Sequence, residues 1–288
     1  MIWQYSLGAL IAINITSIAL SKVASDKAEK KSIQLFYQFL FCLLAAIFYA
    51  FLTKELNPGL VIIPLLISGS FNALANYSFL SAVELSLSKT SLFLPFVDIV
   101  SLLLAIIFLG ENLLFTFQIA AGIILCFLAM FLFQIPSKRE NNIKKTSKRK
   151  WFIFTLIMIL IYGASVFLIR IFSATITRGD FLIGFYLGSF FGSLPIMLWE
   201  KQNPVKIPRK MILLFIVISF AVFSSLSFLY LTFQLGGPAS IVLPVRRLIA
   251  TIATVLIGWL IFKERNGISK KEIIGFAVGI TGVLVILL

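Results

Sequence analysis

Ser91-Leu92-Phe93-Leu94-Pro95-Phe96-Val97-Asp98 is the stretch from which the chain is best read, because Ser240-Ile241-Val242-Leu243-Pro244-Val245-Arg246-Arg247 repeats its pattern 149 residues later. In each copy a serine, a proline and an ionisable residue fall at i, i+4 and i+7, so on a helix they share one face. Both copies open apolar segments of about twenty residues, the length that crosses the hydrocarbon core of a bilayer. Each therefore sets a proline, which removes a helix hydrogen bond, beside an ionisable group in a segment expected to lie in lipid. The charges are opposite: Asp98 in the first copy, Arg247 in the second.

Composition supports that setting. The 288 residues are 60% hydrophobic and 12% charged, with a mean hydropathy of +1.06. Ten apolar segments predict an all-α polytopic membrane protein, with spans at about 2–21, 33–52, 61–82, 88–109, 113–133, 151–171, 181–199, 209–233, 238–262 and 271–288. Barrel strands are excluded, because they would show short alternating segments instead. The first segment has no basic residue before its apolar core, so it reads as a span and not as a signal peptide. Cys42 and Cys126 both fall within predicted spans, where small apolar packing is the expected role.

The net charge of +14 does not call for nucleic acid as a partner. Twenty basic residues fall in the odd-numbered loops between spans, against only Lys54 and Arg178 in the others. That asymmetry orients the odd-numbered loops toward the cytoplasm, with both termini outside. The densest basic loop, residues 136–150, reads as a cytoplasmic linker between a first repeat at 1–135 and a second at 151–288. The favoured reading of this loop is a solvated connector that fixes topology, with contact to anionic lipid, at roughly 1 kcal/mol per nearby Lys or Arg, as the alternative.

The halves echo each other. Tyr77 and Tyr230, Glu111 and Glu264, and Gly122 and Gly275 are each 153 residues apart. Five spans per half is an odd number, so the halves enter the membrane in opposite senses, as two inverted five-helix repeats. Secondary transporters are commonly built this way, with substrate held between the halves. With Pro in the fourth span of each half, Glu after it (Glu111 and Glu264) and Gly in the fifth, the chain resembles the drug/metabolite transporter superfamily, and within it the EamA-type ten-helix permeases. The resemblance implies a carrier of small metabolites in a bacterial inner (plasma) membrane, with its cavity formed by spans 3, 4, 8 and 9.

Asp98 and Arg247 are the leading candidates for substrate contact. Each lies about ten residues, or roughly 15 Å, into its predicted span. They are expected to face one cavity, either as working charges or as a structural ion pair locking two helices. Arg246, about 100° round the helix from Arg247, is expected to meet a neighbouring helix or a headgroup. Asn72 and Asn76 in the third span, and Tyr230 and Gln234 in the eighth, complete the substrate-binding set, with interhelical bonding as the alternative. Pro95 and Pro244 are the expected hinges. Gly184, Gly188 and Gly192 form a ridge suited to close helix packing. Lys22 and Arg170 are expected to snorkel.

The chain has no histidine, which removes histidine relays, histidine metal ligands and Ser-His catalysis. No phosphate-cradle motif is present, so no nucleotide, metal or other cofactor is expected. The function these features favour is secondary-active transport of a small polar metabolite, amino-acid-like or anionic, by alternating access. A coupling proton is a possible co-substrate, and the oligomeric state stays open. A flippase for lipid-linked substrates is the alternative, with an intramembrane enzyme behind it.

Overall fold

The computed structural model describes residues 2–27, 31–55, 62–109, 145–202, 208–237, 239–262 and 270–287, together with the backbone of a few positions between 117 and 132. All regular structure among them is helical: α1 (Ile2–Lys27), α2 (Lys31–Thr53), α3 (Ile62–Leu85), α4 (Leu87–Phe93), α5 (Pro95–Leu109), α6 (Lys145–Ser173), α7 (Arg178–Trp199), α8 (Arg209–Gln234), α9 (Ala239–Leu260) and α10 (Lys270–Leu287). Large apolar side chains such as Phe48, Phe51, Phe108, Leu213 and Phe220 point outward, as a lipid solvent requires. The protein is an all-α, membrane-associated fold.

Five helices among the described residues are long and apolar enough to span a bilayer: Ile2–Ala24, Lys31–Thr53, Arg149–Ser173, Arg178–Trp199 and Arg209–Gln234. This corrects the expectation of ten spans in two inverted five-helix repeats. The expected fourth span is two helices, 7 and 15 residues long, parted at Leu94. The third, α3, has full length but is not among the five, because Ser68, Ser70, Asn72, Asn76 and Tyr77 interrupt its apolar run. The ninth and tenth expected spans are helices of 22 and 18 residues, and within α10 the described residues offer the apolar stretch Ile273–Gly282. Most of the expected fifth span, Glu111, Glu264 and residues 136–144 of the expected linker lie outside the described residues. Lys145–Lys150, read as linker, form the first turns of α6.

The two proline copies also differ in helix continuity. Pro95 has no N–H to give to Ser91, so the Ser91 carbonyl accepts instead from Leu94 N at 3.2 Å and from Thr251 Oγ1 of α9 at 3.4 Å. One turn tightens to i→i+3 bonding, and α5 starts afresh at Pro95, a position that suits proline. In α9 the helix runs through Pro244 without a break.

Glycine sets the closest helix pair. A Cβ built on Gly69 would lie 2.1 Å from Phe185 O, one on Gly188 2.2 Å from Leu66 O, and one on Gly192 2.6 Å from Ser70 O. The Gly184–Gly188–Gly192 ridge of α7 therefore packs against α3 within the chain, with Gly69 as its counterpart. Ser70 Oγ donates across this seam to Gly188 O at 3.1 Å. Cys42, fully buried, donates from Sγ to Ser219 O at 3.2 Å, tying α2 to α8.

Polar clusters close each end of the bundle. At one end Glu200 accepts from Ser32 Oγ and Tyr77 Oη, both at 2.6 Å, Lys31 pairs with Glu84, and Trp151 Nε1 donates to Thr90 Oγ1 at 3.0 Å. Lys22 belongs to this end. It does not snorkel: only 6% exposed, its Nζ donates to Val83 O at 3.0 Å and Glu84 O at 3.1 Å, capping α3. Lys22→Met should orphan these carbonyls and cost about 1–3 kcal/mol, seen as a fall of several degrees in Tm. An unchanged Tm would show that the cap is dispensable.

At the other end Arg178 lies over the Tyr49 ring, 4.7 Å from its centroid, and donates to its hydroxyl. Glu55 Oε2 accepts from Gly179 N at 2.8 Å at the start of α7.

Candidate functional site: a central polar cavity

The break at Pro95 changes where Asp98 sits. Instead of lying ten residues into a span, it occupies the first turn of α5, where the helix dipole favours a carboxylate. Arg247 of α9 meets it with two hydrogen bonds, Nε to Oδ2 at 2.9 Å and Nη2 to Oδ1 at 3.2 Å. Both side chains are about nine-tenths buried, at 10% and 9% exposed. Charge-assisted, two-pronged contacts of this kind are among the stronger polar interactions in proteins.

Arg246 corrects the sequence reading. It does not turn away: its Nη2 lies 3.6 Å from Asp98 Oδ1, and only 5% of its side chain is exposed. Two adjacent guanidiniums thus share one carboxylate. The 100° between neighbouring helix positions separates the two Cβ directions, but a long, flexible arginine arm spans that angle.

The arginines line a cavity of about 190 Å³ at the centre of the bundle. That volume equals the share of roughly six waters in the liquid, at about 30 Å³ each. Its polar wall draws on α1 (Asn14, Ser17), α2 (Gln38), α3 (Asn72, Asn76) and α6 (Ser165). Asn76 Nδ2 donates to Asn72 O at 2.9 Å and to Asn72 Oδ1 at 3.1 Å, and Asn72 Nδ2 donates to Ser189 Oγ at 3.0 Å. This chain of amides holds both asparagines in fixed positions on one cavity wall.

Tyr230 and Gln234 are elsewhere. Tyr230 is fully buried, stacks on Phe181 at 4.8 Å, and donates from its hydroxyl to Phe172 O at 2.9 Å and Ile176 O at 2.7 Å. Those carbonyls belong to the end of α6 and the turn after it, so Tyr230 fastens that turn. Gln234 is exposed at the end of α8. Neither lines the cavity. Tyr230→Phe should destabilise the fold by about 1–3 kcal/mol and leave ligand affinity unchanged, as thermal melts and a binding titration would show. Weaker ligand binding with an unchanged Tm would contradict this placement.

No protein-family model matches the chain. No curated protein matches it either. The resemblance to EamA-type ten-helix permeases is corrected, since among the described residues five helices, not ten, are long and apolar enough to span a bilayer. The proline, glutamate and glycine positions that carried it are common residue types at helix ends and helix contacts. Solved structures do share the fold, and 24 chains match. One, described only as a crystal structure of a protein, aligns at a TM-score of 0.63 and 17% identity, covering 97% of this chain and 98% of its own. At that identity the likeness speaks to architecture alone.

Proposed function

We propose that the protein is a membrane carrier that moves a small polar metabolite through the central cavity by alternating access. The observation that carries this reading is the cavity itself. It is walled by amides, hydroxyls and two guanidiniums inside a bundle whose outer surface is apolar. Polar groups at such a depth are costly and are retained where they line a substrate path. Arg247, Asn72 and Asn76 are the proposed contacts, with Asp98 holding Arg247 in place from behind the cavity wall. Pro95 is the proposed hinge, because the i→i+4 hydrogen bonding is interrupted there and α4 gives way to α5. Tyr230 and Gln234 drop out of the contact set, and Pro244 drops out as a hinge because α9 passes through it unbroken.

The bundle end that gathers Lys22, Lys31, Arg149, Lys150, Lys201 and Arg209 is proposed to face the cytoplasm across a plasma membrane. Purified protein in proteoliposomes, loaded with a metabolite panel and assayed with and without a pH gradient, tests the reading. Saturable uptake of a small polar solute supports it. Scrambling of labelled lipid without solute uptake would replace the carrier with a flippase.

A further inference from the structure

We propose that Arg246 makes the central cavity an anion site, selecting a small organic solute of one net negative charge. The proposal rests on the carrier reading and names its substrate class. Its starting point is a charge imbalance. Arg246 and Arg247 both line the cavity, whereas no carboxylate does so among the described residues. Asp98, just behind the wall, answers one positive charge, and both of its oxygens are already engaged by Arg247.

Arg246 is left under-satisfied. Its nearest contact to Asp98 is 3.6 Å, and its buried Nε has no hydrogen-bond partner. A buried guanidinium without a full counter-charge is expensive, so a bound anion would recover that energy on arrival. The planar fork of arginine fits a carboxylate in a two-pronged contact.

The neutral part of the wall fits the same class. Asn72, Asn76, Ser17 and Ser165 offer hydrogen bonds to the rest of the solute and add no charge. A zwitterion would bring an ammonium group whose natural partner, Asp98, is taken. A cation would meet two arginines. The expected order of binding is therefore monoanion, then zwitterion, then cation.

Three solutes of matched carbon count test this: lactate (anion), alanine (zwitterion) and 1-amino-2-propanol (cation). Each is titrated by calorimetry against protein in nanodiscs of zwitterionic lipid. Lactate should bind about tenfold or more tightly than alanine, and Arg246→Gln should weaken lactate by about tenfold or more. If the glutamine variant does not fold, Arg246→Lys carries the test, with about a threefold or greater loss expected because the fork is gone. Equal affinity for alanine, no lactate binding, or variants that bind lactate as the wild type does would overturn the proposal. Adding phosphatidylglycerol to the nanodiscs separates the two sources of an anion. Unchanged lactate binding supports a free solute, and Arg246-dependent displacement by the lipid contradicts it. Because binding is read without transport, Arg246-dependent lactate binding with no uptake of any solute would sink the carrier and keep the anion site. Uptake of alanine indifferent to Arg246 would do the reverse.

Discussion

Asp98→Asn is expected to abolish solute uptake and to destabilise the protein by about 3–5 kcal/mol, the cost of removing one partner from a buried ion pair. The reason is the company Asp98 keeps. Its carboxylate is the counter-charge for Arg247 at 2.9 Å and 3.2 Å and the nearest acid to Arg246 at 3.6 Å. Asparagine keeps the shape but leaves two buried guanidiniums facing each other with no negative charge between them. It also gives up the favourable place of a carboxylate in the first turn of α5. A thermal melt of detergent-solubilised protein reads the stability term, and proteoliposome uptake reads the transport term. Asp98→Asn/Arg247→Gln should recover part of the lost stability, since one of the stranded charges is removed, but none of the uptake. A single variant as stable and as active as the wild type would show that the pair does neither job.

Gly188→Ala should, like Gly69→Ala across the same seam, disrupt the packing of α3 on α7. The added carbon would sit 2.2 Å from Leu66 O and 2.8 Å from the Leu66 Cα, both backbone atoms of α3 that no rotamer change can move. The helices would have to separate along a seam that also holds Gly69, Gly192 and the Ser70–Gly188 hydrogen bond. Overpacking typically costs about 1–3 kcal/mol, and an obstruction by backbone belongs at or above the top of that range. Size-exclusion profiles from crude membranes should show the folded peak lost or strongly reduced. Gly8→Ala, where no atom lies within 4 Å of the new carbon, should leave the peak intact. A normal peak for Gly188→Ala would mean that α3 and α7 do not cross this closely.

Apolar runs gave the helical, membrane-embedded character directly, because burial in lipid demands uninterrupted hydrophobic length. The pairing of Asp98 with Arg247 was also readable, since two opposite charges in apolar segments seek each other. What sequence spacing did not disclose was the break at Leu94. Pro95 and Pro244 look alike in one dimension, yet the chain restarts a helix at one and passes through the other. At Pro95 the freed Ser91 carbonyl finds a tertiary partner in the Thr251 hydroxyl, a contact that sequence spacing does not announce. Counting spans by length then overshot, because a broken segment and a polar-studded one both resemble a span on paper.

Arg246 was missed because face arguments follow Cβ directions and ignore the reach of a long side chain. Asn14 and Gln38 carried a usable signal, an amide inside an apolar run, and belonged with Asn72 and Asn76 from the start. Tyr230 misled for the opposite reason. Its hydroxyl meets a pair of backbone carbonyls that no side-chain pattern announces.

The central claim is that the cavity opens in turn to the two sides of the membrane. Ser165, 6% exposed and on the cavity wall, is the position to watch. In a background with Cys42→Ala and Cys126→Ala, Ser165→Cys should react with a membrane-impermeant maleimide added to either face of oriented vesicles. Saturating transported solute should slow the reaction from at least one face. Reaction from one face only, indifferent to every solute in the panel, would contradict alternating access through this cavity.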